Sequence, residues 1–302
     1  MDRTYLPRAA AKGARVLANV RVDAIEAGAR AEGVRATARG GGAVRVRAPV
    51  VVLAASAVHT PVLLLRSGIR HGPVGEGFQC HPGISMVGRF PEPVRMWHGA
   101  TQGHEVTGLR KEGIKFEALA YDLPVLAARL PGVGATLRER LGDADRFASW
   151  AAAIRAKARG RVRPGRRGAR VHFDLLPDDL QRFRRAARVM GEMMLAAGAE
   201  VVWPEIHGFA EEVSDRAVLA RLETEGPLDA RAWTAIVTHM FGTCRLGSDP
   251  ATSVVRPDFR HHAVPGLYVA DSSVFPTNTG VNPQTSILVL ATRCAEHIAE
   301  TL

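Results

Sequence analysis

The chain has 302 residues, 46% of them hydrophobic, enough to bury a sizeable core in one large domain or two ordinary ones. Its apolar stretches, such as 50–56 and 58–65, fall short of the about 20 residues that cross a bilayer, which excludes a spanning helix. The net charge of +10 is almost all arginine, the only lysines being Lys12, Lys111, Lys115 and Lys157, and no nucleic-acid-binding motif accompanies it, so no nucleic-acid partner is expected.

Short β-prone runs at 15–18, 21–27 and 33–38 open the chain, and Gly40-Gly41-Gly42 marks a turn before a strand over 43–51. Pro49 to Ala55 reads as a strand buried on both faces. A helix follows, with Thr60 as cap, Pro61 as first residue and Val62 to Leu65 as packed face, ending at Ser67-Gly68. Glycine and proline are dense from Gly72 to about His104, which predicts loop and turn. A strand is expected over Ile114–Leu119, and the basic stretch Arg159–Arg170 reads as a solvated hairpin or loop.

Pro177-Asp178-Asp179-Leu180 starts an amphipathic helix running to about Ala197. Leu180, Phe183, Ala187, Met190 and Met194 share its core face, Arg182, Arg184, Arg185 and Arg188 the other, and Gly198 is its cap. Near the end, Gly266 to Asp271 is an apolar strand ending in an acid, Gly280 to Gln284 a turn, and Thr285 to Glu300 a helix. Its buried side is predicted as Ile287, Leu288, Leu290, Ala291, Cys294, Ala295 and Ile298. A strand, a loop of small polar residues and a helix N-terminus suit a polar, electron-rich ligand.

Cys80, Cys244 and Cys294 are odd in number and widely spaced, which argues for reduced thiols and against a disulfide framework or a zinc site. The first seven residues lack the apolar core and cleavage site of a secretory signal, so a cytoplasmic location is the expectation.

Thr238-His239-Met240-Phe241-Gly242-Thr243-Cys244-Arg245-Leu246-Gly247 closely resembles the motif that carries the active-site histidine of glucose-methanol-choline (GMC) oxidoreductases. Tyr268 to Thr277, followed by Gly280-Val281-Asn282-Pro283-Gln284-Thr285, is similar to that family's other C-terminal signature, in the same order and spacing. Val51 to Ile69 resembles its strand, small-residue turn and leucine-rich helix, with Ser56 in place of a usual glycine, and Gly75 to Pro82 its His-Pro element. In wording the chain is most similar to long-chain fatty-alcohol oxidase and sterol-oxidase-like members.

The resemblance implies a mixed α/β fold, an incomplete Rossmann-like FAD-binding domain joined to a β-sheet substrate-binding domain. Residues 1–82 and 236–302 fall to the FAD side and 83–235 to the substrate side. It implies FAD as cofactor and oxidation of an apolar alcohol to an aldehyde or ketone by hydride transfer. His239 is then the base, or the group that stabilises the developing alkoxide, and histidine suits either task because its ordinary pKa lies near neutrality. Asn282 orients the substrate oxygen, or caps the helix ahead of Pro283. The flavin contacts implied are Val22 at the adenine, Ala55, the Asp271-Ser272 peptide, and Asn282, Pro283, Gln284 and Thr285 at the last helix, whose dipole favours negative charge on reduced flavin. His81 is assigned a structural role, and His261 and His262 none.

The family's opening strand, Gly-x-Gly-x-x-Gly turn and helix have no counterpart in these residues. Three expectations follow: a fragment of an enzyme gene, one half of a split flavoenzyme completed by an N-terminal FAD-binding polypeptide, or a remnant reused as a non-catalytic lipid- or sterol-binding module.

Overall fold

A computed structural model describes residues 3–302; Met1 and Asp2, part of the reading of the chain's start, lie outside the described residues. Helix α1 (Tyr5–Ala11) buries none of its side chains. Strands β1 (Val20–Ala27), β2 (Ala31–Ala38) and β3 (Ala43–Arg47) then pair antiparallel into a three-stranded sheet. The run at 15–18 is no strand, and Val16 and Leu17 stand exposed. The strand expected to reach Val51 stops at Arg47, two residues before Pro49, which has no amide to give a ladder.

β4 (Val51–Leu53) leads into α2 (Ser56–Arg66), which begins four residues before Thr60, the cap expected for it. Pro61 therefore lies inside the helix, where it cannot donate to the carbonyl four residues earlier. That carbonyl, of Ala57, instead accepts from Thr243 Oγ1 at 2.6 Å in a buried contact. Thr60 turns to the far end of the chain and donates to Asp271 Oδ2 at 2.5 Å. Replacing Thr243 by Val keeps the volume and orphans the Ala57 carbonyl, with an expected loss of about 1–3 kcal/mol in urea unfolding.

The segment expected to be loop carries β5 (Glu76–Arg89), buried along most of its length. Gly77, with φ +75°, takes up the register shift between Glu76 and Phe78. Pairing along both edges overrides the local preference of the other glycines and of Pro82. Then come β6 (Glu105–Val106), β7 (Ile114–Leu119), α3 (Leu123–Arg129), α4 (Gly134–Gly142) and β8 (Phe147–Ile154). β9 (Gly160–Pro164) and β10 (Ala169–His172) form an antiparallel hairpin across the basic stretch. The sheet runs β10-β9-β5-β8-β7-β6.

Helix α5 (Pro177–Ala196) packs on this sheet through Leu180, Phe183, Ala187, Met190 and Met194, all buried. Arg184 departs from its expected polar face: it is buried, and its Nη2 donates to the Gly226 carbonyl. After β11 (Val201–Trp203), α6 (Arg216–Ala220) and α7 (Leu222–Glu225), β12 (Ala235–Phe241) joins β5 antiparallel. Finally β13 (Leu267–Val269) pairs parallel with β4, and α8 (Gln284–Thr301) closes the chain.

Among the described residues the two largest of four apolar clusters form the main cores. One joins Ile25, Leu64, Phe241, Val255, Leu267 and Cys294; the other joins Met86, Phe116, Phe183, Met190, Leu219 and Trp233. The first is incompletely covered. β4 and β13 make a sheet of two parallel strands, and Val52, expected to be buried, is 44% exposed, although parallel sheets are ordinarily covered on both faces. Of the predicted core side of α8 only Cys294 is buried; Ile287, Leu290 and Ile298 pack partly and Ala295 is exposed. No described helix is long and apolar enough to cross a membrane. All three cysteines are free and buried.

Candidate active site

β12 follows β5 in register from Ala235 opposite Ile84 to Thr238 opposite His81, then slips so that Phe241 faces Gln79. The irregularity falls on His239 and Met240 and puts His239 at φ +52°, a left-handed conformation uncommon outside glycine. Such a bulge re-aims a side chain. Here it brings His239 Nδ1 within 3.1 Å of His81 Nδ1, with the ring centroids 5.2 Å apart and nearly edge to face.

The chain beyond the bulge is held against the second signature. The Cys244 amide donates to the Ser273 carbonyl at 2.9 Å and the Leu246 amide to that of Val274 at 2.8 Å. Gly242, at φ +85°, lies so close to the Gly77 carbonyl that any Cβ would come within 2.6 Å of it. The two stretches that looked functional in sequence therefore run side by side.

Asn282 arrives from the other direction, ahead of α8. Its Oδ1 accepts from Lys115 Nζ, and its Nδ2 donates to Glu117 Oε1 at 2.9 Å. Pro283 is the cap residue of α8, and no side chain caps that end, so Asn282 is not the helix cap. Lys115 and Glu117 are two apart on β7 and share one of its faces. Lys115 is 3% exposed, bonds Glu117 at 2.5 Å and lies 3.6 Å from Glu105.

Burial holds the His239 imidazole below its ordinary pKa; Glu117 opposes the shift and Lys115 adds to it. His81, assigned a structural role, is buried and lies against His239. Burial, then His239, Lys115 and Arg155, push it down to about 3. Neither Lys115 nor Glu117 was singled out, although a lysine in so arginine-rich a chain, with an acid two residues on in an expected strand, was a signal in plain view.

His261 is also buried, and desolvation followed by His71 and His262 pushes it down to about 4. Both His81 and His261 have folded pKa values below the unfolded one, so their contribution to stability is present above pH about 6.5 and is lost as pH falls. Unfolding free energies from urea titrations should drop from pH 7 to pH 4.5 by at most about 1.4 kcal/mol per pH unit per histidine. A His261→Gln variant should show a shallower fall.

Asp271 ties the end of β13 to the start of α2. Its Oδ2 accepts from the Ser56 amide at 2.9 Å and from Thr60, and its Oδ1 from the Ser273 amide at 2.8 Å. Ala55, Asp271 and Ser272 thus lie just past the carboxyl ends of two parallel strands, where open α/β sheets bind ligands. Ser56 holds φ +82° where glycine would be unstrained. Gln284 and Thr285 are exposed in the first turn of α8, which has no acid and whose leading amides have no intrahelical partner. These free donors, the position past the two strand ends and the exposed Val52 fit the flavin dinucleotide that the sequence implied. Val22 lies on the three-stranded sheet, 39% exposed.

A cavity of about 330 Å³ lies on the opposite face of β7, toward α5, lined mainly by Val106, Phe116, Ala118, Trp150 and Met193.

Two family models described as GMC oxidoreductase match residues 1–83 and 156–291, together well over half of the chain. An uncharacterized GMC-type oxidoreductase of Mycobacterium tuberculosis is 33% identical over 294 residues, covering 96% of this chain and 46% of the relative. A long-chain-alcohol oxidase of Arabidopsis thaliana is 27% identical over 267 residues, 82% of this chain and 36% of the oxidase. Among solved structures, pyridoxine 4-oxidase from Mesorbium loti superposes with a TM-score of 0.68 at 21% identity, over 93% of this chain and 57% of the oxidase. The chain spans about half the length of the curated relatives it matches. With both signatures folded against each other and both family models matched, the chain belongs to the GMC oxidoreductase family, whose cofactor is FAD.

Proposed function

We propose that the protein takes part in the FAD-dependent oxidation of a CH–OH group, converting an apolar primary or secondary alcohol, long-chain or sterol-like, to an aldehyde or ketone. The observation that carries this reading is the convergence of His239 and Asn282 on β7: His239 feels Glu117 and Lys115, and Asn282 is bonded to both. Bound flavin supplies the hydride acceptor. His239 deals with the hydroxyl proton or the developing alkoxide. Asn282 keeps one amide N–H beyond the one given to Glu117, and that N–H orients the substrate oxygen. The likeness to the Arabidopsis long-chain-alcohol oxidase supports this substrate class.

In this reading residues 1–82 and 236–302 form the FAD side and 83–235 the substrate side, a division supported by the two largest apolar clusters, which draw on those ranges. The flavin meets Ala55, Asp271, Ser272, Pro283, Gln284 and Thr285, with Val22 toward the adenine. An N-terminal FAD-binding polypeptide carrying the strand, glycine turn and helix adds to the free edge of β4 and covers Val52. A cytoplasmic location belongs to the same proposal.

The test is an absorbance spectrum of the purified chain after incubation with FAD and desalting, with and without that polypeptide, followed by anaerobic addition of long-chain alcohols and sterols. Flavin bands that an alcohol bleaches are the expected result. Retained flavin that no primary or secondary alcohol bleaches overturns the reading.

A further inference from the structure

The contact between His239 and His81 determines which nitrogen of His239 carries a proton. His81 is 2% exposed in the middle of β5, and its Nε2 lies 2.9 Å from the Gly280 amide. A backbone N–H only donates, so His81 Nε2 is an acceptor and the proton of the neutral ring sits on Nδ1. That Nδ1–H points at His239 Nδ1, 3.1 Å away. His239 Nδ1 must then accept, which leaves its own proton on Nε2.

Thr238 closes the alternative. Its hydroxyl donates to the His81 carbonyl at 3.0 Å and is 3.3 Å from His239 Nδ1. It has no second proton to give. If His239 turned its Nδ1–H toward Thr238, that proton would meet the His81 Nδ1–H head-on.

We propose that His81 is a positioning residue that locks His239 as the Nε2–H tautomer, so that His239 presents a hydrogen-bond donor to the substrate oxygen. The proposal rests on the site described above and narrows its chemistry. With Nδ1 engaged and Nε2 protonated, His239 has no free lone pair with which to act as a base. It stabilises the negative charge left on oxygen when the hydroxyl proton passes to water and the hydride to bound flavin, through Nε2–H, as a preorganised donor does. The charged groups facing the pair are Lys115 and Glu117 from β7 and Arg155 beyond β8. The first turn of α8 adds no acid.

The tautomer is read without flavin. Long-range ¹H–¹⁵N correlation spectra of the full chain, with ¹⁵N-labelled histidine, are recorded at neutral pH, and His239 is assigned by its loss in His239→Gln. In the unaltered protein His239 is expected to show one protonated and one bare nitrogen, widely split in shift, with the proton on Nε2. His81→Asn, whose side-chain amide stands where Nδ1–H stood, should keep that splitting. His81→Leu should collapse it toward an average of two tautomers. A proton on His239 Nδ1 in the unaltered chain overturns the proposal, and so does a splitting unchanged in His81→Leu. Failure to bind or reduce flavin would sink the proposed function and leave this result untouched.

Discussion

A His239→Ala variant of the flavin-loaded protein should reduce its flavin with alcohol on the order of 10²–10³-fold more slowly, the usual effect of deleting one preorganised donor to a developing oxyanion. Flavin retention itself should be unchanged, because the Asp271 hydrogen bonds beside Ala55 and Ser272 and the first turn of α8 are built without His239. Stopped-flow absorbance under anaerobic alcohol separates the two quantities. His239→Gln sharpens the result: an amide can donate where Nε2–H did and has negligible proton affinity. If His239 acts as donor, Gln should recover a clear part of the rate that Ala loses. If it acts as base, Gln and Ala should be equally slow. A full rate in His239→Ala would remove this residue from the reaction altogether.

The parts of this site visible in the sequence are those whose chemistry is local. The stretch Thr238–Gly247 and the loop before α8 each keep their residues within a few positions of one another, so their pattern survives without any knowledge of the fold. What had to be seen folded depends on register. β5 hid behind Gly77, Pro82 and Gly83 because pairing on both its edges, with β8 and β12, outweighs local propensity. His81 meets His239 only because β12 lies antiparallel to β5 with Thr238 opposite His81 and then bulges. The apolar run at β4 predicts burial on both faces and the periodicity of α8 burial on one, yet such patterns report where a chain is apolar and not whether anything covers it. Val52, exposed by 44%, and Ala295, exposed on the predicted core side of α8, show the difference. Pro61 is a third case: a proline expected at the start of a helix sits within it, made tolerable by Thr243 from 182 positions further along the chain.

Replacing Lys115 by Met should destabilise the protein by about 3–5 kcal/mol, the range for removing one partner of a buried ion pair. The reason lies in the ladder between β6 and β7, where Glu105 and Glu117 are directly opposite. Like charges in that position repel, and Lys115, with its side chain 4% exposed and its Nζ 2.5 Å from Glu117 and 3.6 Å from Glu105, holds them together. Urea unfolding at neutral pH reads the loss. The double variant Lys115→Met/Glu117→Leu should regain most of it, because a buried pair exchanged for packed apolar side chains is often neutral or better. Activity should not return with stability. Lys115 Nζ and Glu117 Oε1 are the two groups bonded to the Asn282 side chain, so in the double variant Asn282 is free to turn and the substrate oxygen loses its orienting amide. A double variant that recovered both stability and flavin reduction would reduce the buried pair to a packing device. One that recovered stability alone would assign Lys115 and Glu117 to positioning Asn282, as the hydrogen bonds between them require.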